Sequence, residues 1–360
     1  MELFFVKRSN DINAIEVTRG QYDSDFSNYI YSLFVTSEWM ESMAEKSNLV
    51  YLNLVRNGVV VGKASGLILP GTRYTGKYLF MYAGPAIISN NKDLYFECIA
   101  SLWDYARKKR LSKININYYD QQNEWVYSRD GFYKRGLFEY VKYFDLSEQA
   151  PKFGKSVMYN VRKATKTGAT FHIENSERVL AKLHELLELT QKIRFEKYGA
   201  DYKSYPYFFM TKEKVDELFY SGILKLFHVE VDGEIHCVRC ALDKDKRMYG
   251  LMIASDEFTY KNGIQHFLQY HLINKLHEEG YKYYNIAGTA AGEEGKGLSE
   301  YKESLGCSRR LAYGTYTHFI TFPHNLINPL MSSAKILSRN RYMDRVVKFG
   351  SKVISGNISW

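Results

Sequence analysis

An internal repeat sets the limits on how this 360-residue chain can fold. The segment LVYLNLVRNGVVVGKASGLIL, which begins at Leu49, alternates apolar and polar residues around Asn57-Gly58. The segment LKLFHVEVDGEIHCVRCALD, which begins at Leu224, does the same around Asp232-Gly233, 175 positions later. Asn-Gly and Asp-Gly between alternating segments are strong signals for β-hairpins. We therefore predict two copies of one hairpin-containing domain.

The elements that follow each hairpin come in the same order. A further strand is predicted at Lys77 to Tyr82 and at Met248 to Ala254. After it come a long helix (LYFECIASLWDYARKKR; GIQHFLQYHLINKLHEEG), a short strand (KININYYD; KYYNIAGT), and a short helix with a glycine stop and a final strand (NEWVYSRDGFYKR; LSEYKESLGCSRR). This order predicts an α/β fold with mixed sheets flanked by helices. The predicted domains are residues 1–150 and 151–322, and a basic tail of residues 323–360 follows them.

Composition and cysteine placement exclude several classes of protein. With 45% hydrophobic residues and six prolines, the composition is that of a globular protein. No apolar run approaches the roughly 20 residues that span a bilayer, and the N-terminus lacks the apolar core of a signal peptide, so we expect a cytoplasmic protein. Cys237 and Cys240 would point to opposite faces of a strand. We therefore expect no metal site from them.

The net charge of +9 is concentrated in three basic clusters. These clusters lie in residues 107–113, 151–168 and 335–352. Such faces attract phosphate on RNA, nucleotide sugars or lipid headgroups, and a solvated face is the alternative. Apolar residues alternate with basic ones in the tail. That pattern predicts either peripheral contact with a membrane or a helix that straps the two domains together.

The segment GLSEYKESLG places a lysine on an apolar helix face. Leu298, Tyr301, Lys302 and Leu305 follow a helical spacing, and Gly306 would end the helix. A buried ammonium costs several kcal/mol unless an anion meets it. We expect the anion to be a substrate phosphate, the oxyanion of an attacked ester, or a buried carboxylate of the protein.

Two further segments carry basic residues at helical positions. In SVMYNVRKATKTG, Ser156 is predicted to cap a helix with Met158, Val161 and Thr165 inward, Arg162, Lys163 and Lys166 outward, and Gly168 in a left-handed conformation at its end. In KLHELLELTQKIRFEKYG, an apolar stripe ends at Arg194. The guanidinium either contacts phosphate or complements the end of the helix.

The order of elements resembles the GNAT acyltransferase fold, and two copies in one chain resemble the Fem family of aminoacyl transferases. Three motifs carry this resemblance: N-x-R-K-A-x-K-x-G at Asn160 to Gly168, the early S-x-x-W-like segment TSEWM, and GLSEYKESLG with Tyr301-Lys302 in place of Phe-Lys. The resemblance implies transfer of an aminoacyl group from aminoacyl-tRNA to an amine of a peptidoglycan precursor, with no bound cofactor.

The resemblance also implies roles for single residues. Lys302 would stabilise the oxyanion, Tyr301 would order the acyl group, and Arg194 would bind an acceptor phosphate. Arg162 and Lys163 would contact a phosphate backbone. The other substrate-binding candidates are Trp39, for which a core role is the alternative, Tyr249 on the strand after the second hairpin, and Asp256, a loop carboxylate that could bind an amine.

The loop before the second long helix bears on the donor. Ordinary GNAT enzymes hold the pyrophosphate of acetyl-CoA with a loop of the form R/Q-x-x-G-x-G/A. Neither alignment of Gly263 fits, because the first places Tyr260 and Gln265 at required positions and the second places Phe258 and Lys261 there.

Acetyl-CoA, bound by Lys261, Asn262 and Gly263, is therefore the alternative donor. A CoA-dependent N-acyltransferase acting on a sugar of a surface polysaccharide is the rival enzyme, with a nucleotide sugar as its partner. A degenerate GNAT pair that only binds RNA or protein is the third reading.

Overall fold

The computed structural model describes residues 11–45, 48–71, 76–125, 127, 136–198, 204–288, 293–313 and 316–329. These residues form two compact units. The second unit is Phe138–Leu311, and the first unit holds the rest of the described chain. Among the described helices, none combines the length and hydropathy that crossing a bilayer requires.

The elements alternate between strands and helices along the chain. They are β1 (Ile12–Val17), α1 (Arg19–Asp23), α2 (Ser37–Met43), β2 (Leu49–Arg56), β3 (Val59–Leu69), β4 (Tyr78–Met81), β5 (Ala86–Ile87), α3 (Lys92–Lys108), β6 (Lys113–Ile116), β7 (Gly136–Tyr143), α4 (Lys155–Thr165), β8 (Thr170–Ile173), α5 (Glu177–Tyr198), α6 (Lys212–Tyr220), β9 (Leu224–Val231), β10 (Glu234–Lys244), β11 (Arg247–Ser255), α7 (Glu257–Asn262), α8 (Ile264–Glu278), β12 (Tyr283–Gly288), α9 (Glu293–Ser304), β13 (Ser308–Tyr313) and β14 (Tyr316–Phe319).

Each unit contains one mixed sheet, as the sequence predicted. The first sheet has the order β1-β2-β3-β4-β6-β14, with β5 also paired to β3. The second has the order β13-β7-β12-β11-β10-β9-β8. One parallel pair occurs at the same place in each repeat, β4 with β6 and β11 with β12. In the second unit α4 and α8 pack together on one face, and α5 packs against β10 and β11.

The two hairpins have the same turn and the same irregularity. Asn57 and Gly58 have φ of 49° and 80°, and Asp232 and Gly233 have φ of 51° and 82°. Positive φ at both central residues is the two-residue turn that matches the twist of a hairpin. The ladder shifts register after the second residue of β3 and again after the second residue of β10. The predicted repeat is therefore present in the backbone.

The strand that ends the first repeat pairs in the second unit, and a strand that follows the second repeat pairs in the first unit, so the compact units differ in extent from the repeats. β7 follows the first repeat in sequence but pairs with β12, and β14 follows the second repeat but pairs with β6. The units therefore divide at 137/138 and 311/312, where the repeat had predicted 150/151 and 322/323. Sequence similarity could not reveal this, because each strand occupies its expected place in the order of elements.

Several local predictions need correction or lie outside the described residues. The short helix predicted after β6 does not form at residues 123–125, and most of its remaining length is outside the described part. The N-cap of α4 is Gly154, whereas the sequence predicted Ser156. The helix itself begins at Lys155. Its buried residues are Val157, Val161 and Ala164, whereas Thr165 is exposed. The tail prediction concerns residues 323–360, of which 330–360 lie outside the description.

Candidate functional site

Lys302 lies inside the second unit near the end of α9. Its side chain and backbone are together only 6% exposed, and Leu305 beside it is fully buried. Gly306 follows with φ of 77°, which ends the helix as predicted. Leu298 is 43% exposed, so the predicted apolar face is shorter than expected. The last turn of the helix therefore places the lysine in the interior.

The ammonium of Lys302 binds the end of β12. Nζ donates to the carbonyl oxygens of Ile286 at 2.7 Å, Ala287 at 2.9 Å and Gly288 at 2.6 Å. An ammonium has three N–H donors, so these three acceptors match it fully. Within the described residues the partners of the ammonium are thus backbone carbonyls and not the buried carboxylate that was one of the expected partners.

β12 leaves its neighbours at this point. It pairs with β11 only over Tyr283–Asn285, and its ladder with β7 shifts register between Asn285 and Gly288. Ala287 has φ of 62°, a conformation that costs a non-glycine residue about 1–3 kcal/mol. Lys302 stabilises this end of β12, because its Nζ donates hydrogen bonds to all three carbonyl oxygens of the strained segment.

A second cation, Arg239 of β10, lies close to Lys302. Arg239 is 6% exposed, and within the described residues its Nε and Nη2 have no hydrogen-bond partner. The guanidinium lies over Gly250 of β11, where an added Cβ would stand 1.6 Å from Nη2. Its Cζ is 5.8 Å from the ring centre of Tyr284. Burial first, and then the charge of Arg239, lower the pKa of Lys302 to about 7.

The nearest buried acid already has partners. Glu139 of β7 is 1% exposed, and its Oε2 accepts from Arg310 Nη2 at 2.9 Å and from Asn285 Nδ2 at 3.1 Å. The positive charge of Lys302 and Arg239 is therefore not cancelled by a salt bridge in the described part of the chain. Sequence reasoning missed Arg239, although an arginine at an inward position of the apolar strand EIHCVRCALD was a usable signal.

Tyr301 and Tyr249 are both placed in the second unit with buried hydroxyls. The hydroxyl of Tyr301 has no hydrogen-bond partner among the described residues, and its ring meets that of His266 edge-on at 4.8 Å. Burial strongly raises the pKa of Tyr301, so its hydroxyl keeps its proton as a donor. The hydroxyl of Tyr249 lies 3.5 Å from that of Tyr207.

Asp256 has a structural role at the start of α7. Its Oδ1 accepts from the backbone N–H of Thr259 at 2.9 Å, which caps the helix, and its Oδ2 lies 2.6 Å from Nδ1 of His236. The His236 ring stacks on Phe258 at 4.4 Å. Asp256 also lines a pocket of about 430 Å³ against Leu189 and Lys192 of α5.

α4 covers the beginning of α8. A Cβ on Gly263, whose φ is 74°, would come within 2.8 Å of the carbonyl oxygen of Asn160. Lys163 Nζ donates to the carbonyl oxygen of Lys261. Lys163 therefore ties two elements together, whereas Arg162 beside it is exposed. Asn262 donates to the carbonyl oxygen of Phe258 within α7, and Lys261 forms an exposed pair with Glu257.

Trp39 does not join this group. Trp39 lies in the core of the first unit with 0% exposure, and it contacts Phe34 and Tyr82 edge-on. The structure therefore places Trp39 in the packing of the first unit, which is the alternative that the sequence left open. Arg194 belongs to α5, but its side chain lies outside the described part of the structure.

Comparison with known proteins shows what the second unit and the fold are similar to. Residues 151–303 match the family model described as an acetyltransferase (GNAT) domain. A search of curated proteins found no match. The fold is similar to a crystal structure of FemX, with a TM-score of 0.65 and 14% identity over 89% of this chain and 100% of that chain. It is also similar to a conserved protein of unknown function from Bacteroides thetaiotaomicron, with a TM-score of 0.53 and 13% identity over 86% of this chain and 100% of that one.

Proposed function

On the premise that residues 151–303 are a GNAT acyltransferase domain, we propose that this protein transfers an aminoacyl group from tRNA to an amine of a peptidoglycan precursor. The amine nitrogen attacks the carbonyl carbon of the aminoacyl ester. A C–N bond forms, the C–O bond to the tRNA ribose breaks, and the proton that the amine loses passes to the leaving ribose oxygen, which becomes a free hydroxyl. The likeness to FemX and the motifs shared with the Fem family support the choice of an aminoacyl group.

The observation that carries this proposal is the buried positive charge at the end of β12. Lys302 and Arg239 stand together without a salt bridge in the described residues. A charge in a site that excludes water stabilises a developing oxyanion more strongly than the same charge in solution. In this proposal Lys302 acts in its protonated form, which prevails below about pH 7 in the free protein, through its charge and through one donor that a carbonyl of residues 286–288 releases. Arg239 keeps its charge throughout. The protonated Tyr301 hydroxyl orders the acyl group.

The contact between α4 and α8 supports tRNA over acetyl-CoA as the donor. GNAT enzymes that use CoA place its pyrophosphate at the N-terminus of the helix that corresponds to α8. Here Asn160 packs on Gly263, and Lys163 binds the carbonyl oxygen of Lys261. The exposed Arg162 and Lys166 of the same helix face solvent, where they suit the phosphate backbone of an RNA. Arg194 would bind an acceptor phosphate.

Single-turnover transfer tests the proposal. Purified protein is mixed with a charged tRNA pool and a UDP-linked muropeptide, and the product is identified by mass spectrometry. We expect transfer with the wild type and a rate about 10²–10³-fold lower in Lys302→Met, the size of effect seen when an oxyanion donor is removed. Lys296→Met, an exposed lysine on the same helix, is the matched control and should keep the wild-type rate.

Circular dichroism first establishes that both variants are folded. Transfer at the wild-type rate by folded Lys302→Met would refute the role of the lysine. Transfer from acetyl-CoA and none from tRNA would favour the rival N-acyltransferase. Binding of tRNA without any transfer would favour a binding module.

A further inference from the structure

The first unit contains a pocket of about 450 Å³ with a buried lysine in its wall. Residues 20–29 form one side of the pocket, and β2 and β3 form the other. Lys63 of β3 is 3% exposed, and the walls around it include Asp25, Tyr29 and Asn53. The pocket lies within the first unit, so nothing in its interpretation depends on the reaction proposed for the second.

Lys63 keeps one unused donor. Its Nζ donates to the carbonyl oxygens of Tyr22, at 2.7 Å, and Ser24, both at the end of α1. The third N–H has no hydrogen-bond partner in the described part of the chain. Nζ also lies 5.1 Å from the ring centre of Tyr29. Burial lowers the pKa of Lys63, and an anion beside it would oppose that shift.

The same pocket holds two acceptors, the side-chain amide oxygen of Asn53 and the carboxylate of Asp25. Asn53 lies opposite Lys63 in the β2–β3 ladder, and its buried Oδ1 has no partner within the described residues. The carboxylate of Asp25 accepts one bond, from the hydroxyl of Ser24 at 3.3 Å. Asp25 forms no salt bridge with Lys63 within 4 Å, although its charge raises the pKa of that lysine. The pocket therefore offers a positive group and a negative group that do not pair directly.

The second repeat shows that the fold does not require this lysine. The register of the two hairpins sets Lys63 opposite Asn53 in the first unit and Val238 opposite His228 in the second, each just after the shift in the ladder. Val238 is fully buried. An apolar residue therefore serves this strand position in the second copy, and the lysine is specific to the first copy.

We propose that this pocket binds an α-amino acid group, with its carboxylate on Lys63 and its ammonium between Asp25 and Asn53. A carboxylate accepts the free N–H of Lys63, and an ammonium donates to the unsatisfied Oδ1 of Asn53 and to the carboxylate of Asp25. An anion alone would meet the repulsion of Asp25, and a cation alone that of Lys63. The group belongs either to a free amino acid or to the exposed end of a larger molecule.

Binding measurements by NMR on the full chain test the zwitterion. The probes are glycine, γ-glutamylglycine, acetate and methylammonium. Glycine or γ-glutamylglycine should bind at least about 10-fold more tightly than acetate or methylammonium, since each single ion makes half of the contacts. Binding of both amino acid probes indicates a site open to free amino acids, and binding of γ-glutamylglycine alone indicates an attached one. The proposal would be overturned if acetate bound as tightly as glycine, or if no probe bound.

Two variants locate the binding. Asp25→Asn preserves shape, and asparagine tolerates the positive φ of 53° at this position. This variant should bind glycine or γ-glutamylglycine about 10-fold more weakly than the wild type does. Lys63→Met should abolish binding, and if it fails to fold, the Asp25→Asn result alone decides. Lys192→Met, beside the pocket of the second unit, is the matched control and should bind normally. Equal affinity in wild type and Asp25→Asn would contradict the site.

Discussion

At the scale of single residues, the second unit keeps two buried cations whose environments differ. Lys302 gives its three donors to three carbonyls, whereas Arg239 leaves Nε and Nη2 without partners in the described residues. A buried polar group without a partner is costly, so such a group is retained for function more readily than for stability. Replacement of Arg239 should therefore lower the rate of catalysis without lowering the stability of the fold.

The depressed pKa of Lys302 predicts a pH dependence of stability. The pKa falls from its ordinary 10.5 to about 7 on folding. Between these values the unfolded chain binds the proton and the folded chain does not, so stability is lost as the pH falls from 10.5 to 7 and is constant below. The unfolding free energy of wild type minus that of Lys302→Met should rise by about 1.4 kcal/mol per pH unit across this window. Urea unfolding at several pH values measures this difference, and a flat difference would contradict it.

Gly250 is predicted to be irreplaceable while Arg239 is present. Gly250→Ala places a Cβ 1.6 Å from Nη2 of Arg239, so the guanidinium must move, at a cost of about 2 kcal/mol or more. Gly297→Ala on α9 meets nothing within 4 Å and should be neutral or stabilising by up to about 1 kcal/mol. Adding Arg239→Met should rescue Gly250→Ala, and denaturant unfolding of the double variant measures that coupling.

At the scale of elements, α4 divides its basic residues between two tasks. Lys163 binds the carbonyl oxygen of Lys261, whereas Arg162 and Lys166 are exposed. We predict that Lys163→Met lowers the unfolding free energy by about 0.5–1 kcal/mol, because it removes a charge-assisted hydrogen bond made by an exposed lysine. Thermal and urea unfolding measure this change. An unaltered stability would show that the bond contributes nothing in solution.

The exposed pair should act on RNA without affecting stability. Arg162→Ala and Lys166→Ala should each weaken tRNA binding and reduce the salt dependence of the affinity by about one phosphate contact. Filter binding between 50 and 200 mM salt, roughly the range over which such contacts are lost, provides the measurement. Lys212→Ala on α6 is an exposed control that should bind tRNA as the wild type does. Equal affinity in all four proteins would remove α4 from the interface.

Sequence periodicity predicted the helices and strands better than it predicted the contacts of individual side chains. The hairpins, the long helices and the glycine end of α9 follow from local patterns, which the chain carries within a few residues. The burial of Lys302 also followed from helical spacing. Its partners did not, because the carbonyls of residues 286–288 converge only when β12 leaves the sheet. The role of Trp39 could not be predicted either, because an aromatic residue in a core and one in a binding site look the same in the sequence.

At the scale of the whole molecule, the exchanged strands decide which pieces can fold. A polypeptide of residues 151–322 lacks β7, which lies between β12 and β13 in the second sheet and carries the buried partner of Arg310. We expect this fragment to show no cooperative urea transition by circular dichroism. A fragment of residues 136–313 keeps every strand of that sheet and should unfold cooperatively. Cooperative unfolding of the shorter fragment would show that β7 is dispensable.

The place of β14 also imposes an order on synthesis. Tyr316 pairs with Ile116, so the nascent chain must grow by 200 residues before β6 gains this neighbour. At ribosomal speeds of about 5–20 residues per second, that edge waits for about 10–40 s. An unpaired strand edge can pair with other chains, and chaperones could bind the first unit during this interval. The unit that leaves the ribosome first is thus the last to be completed.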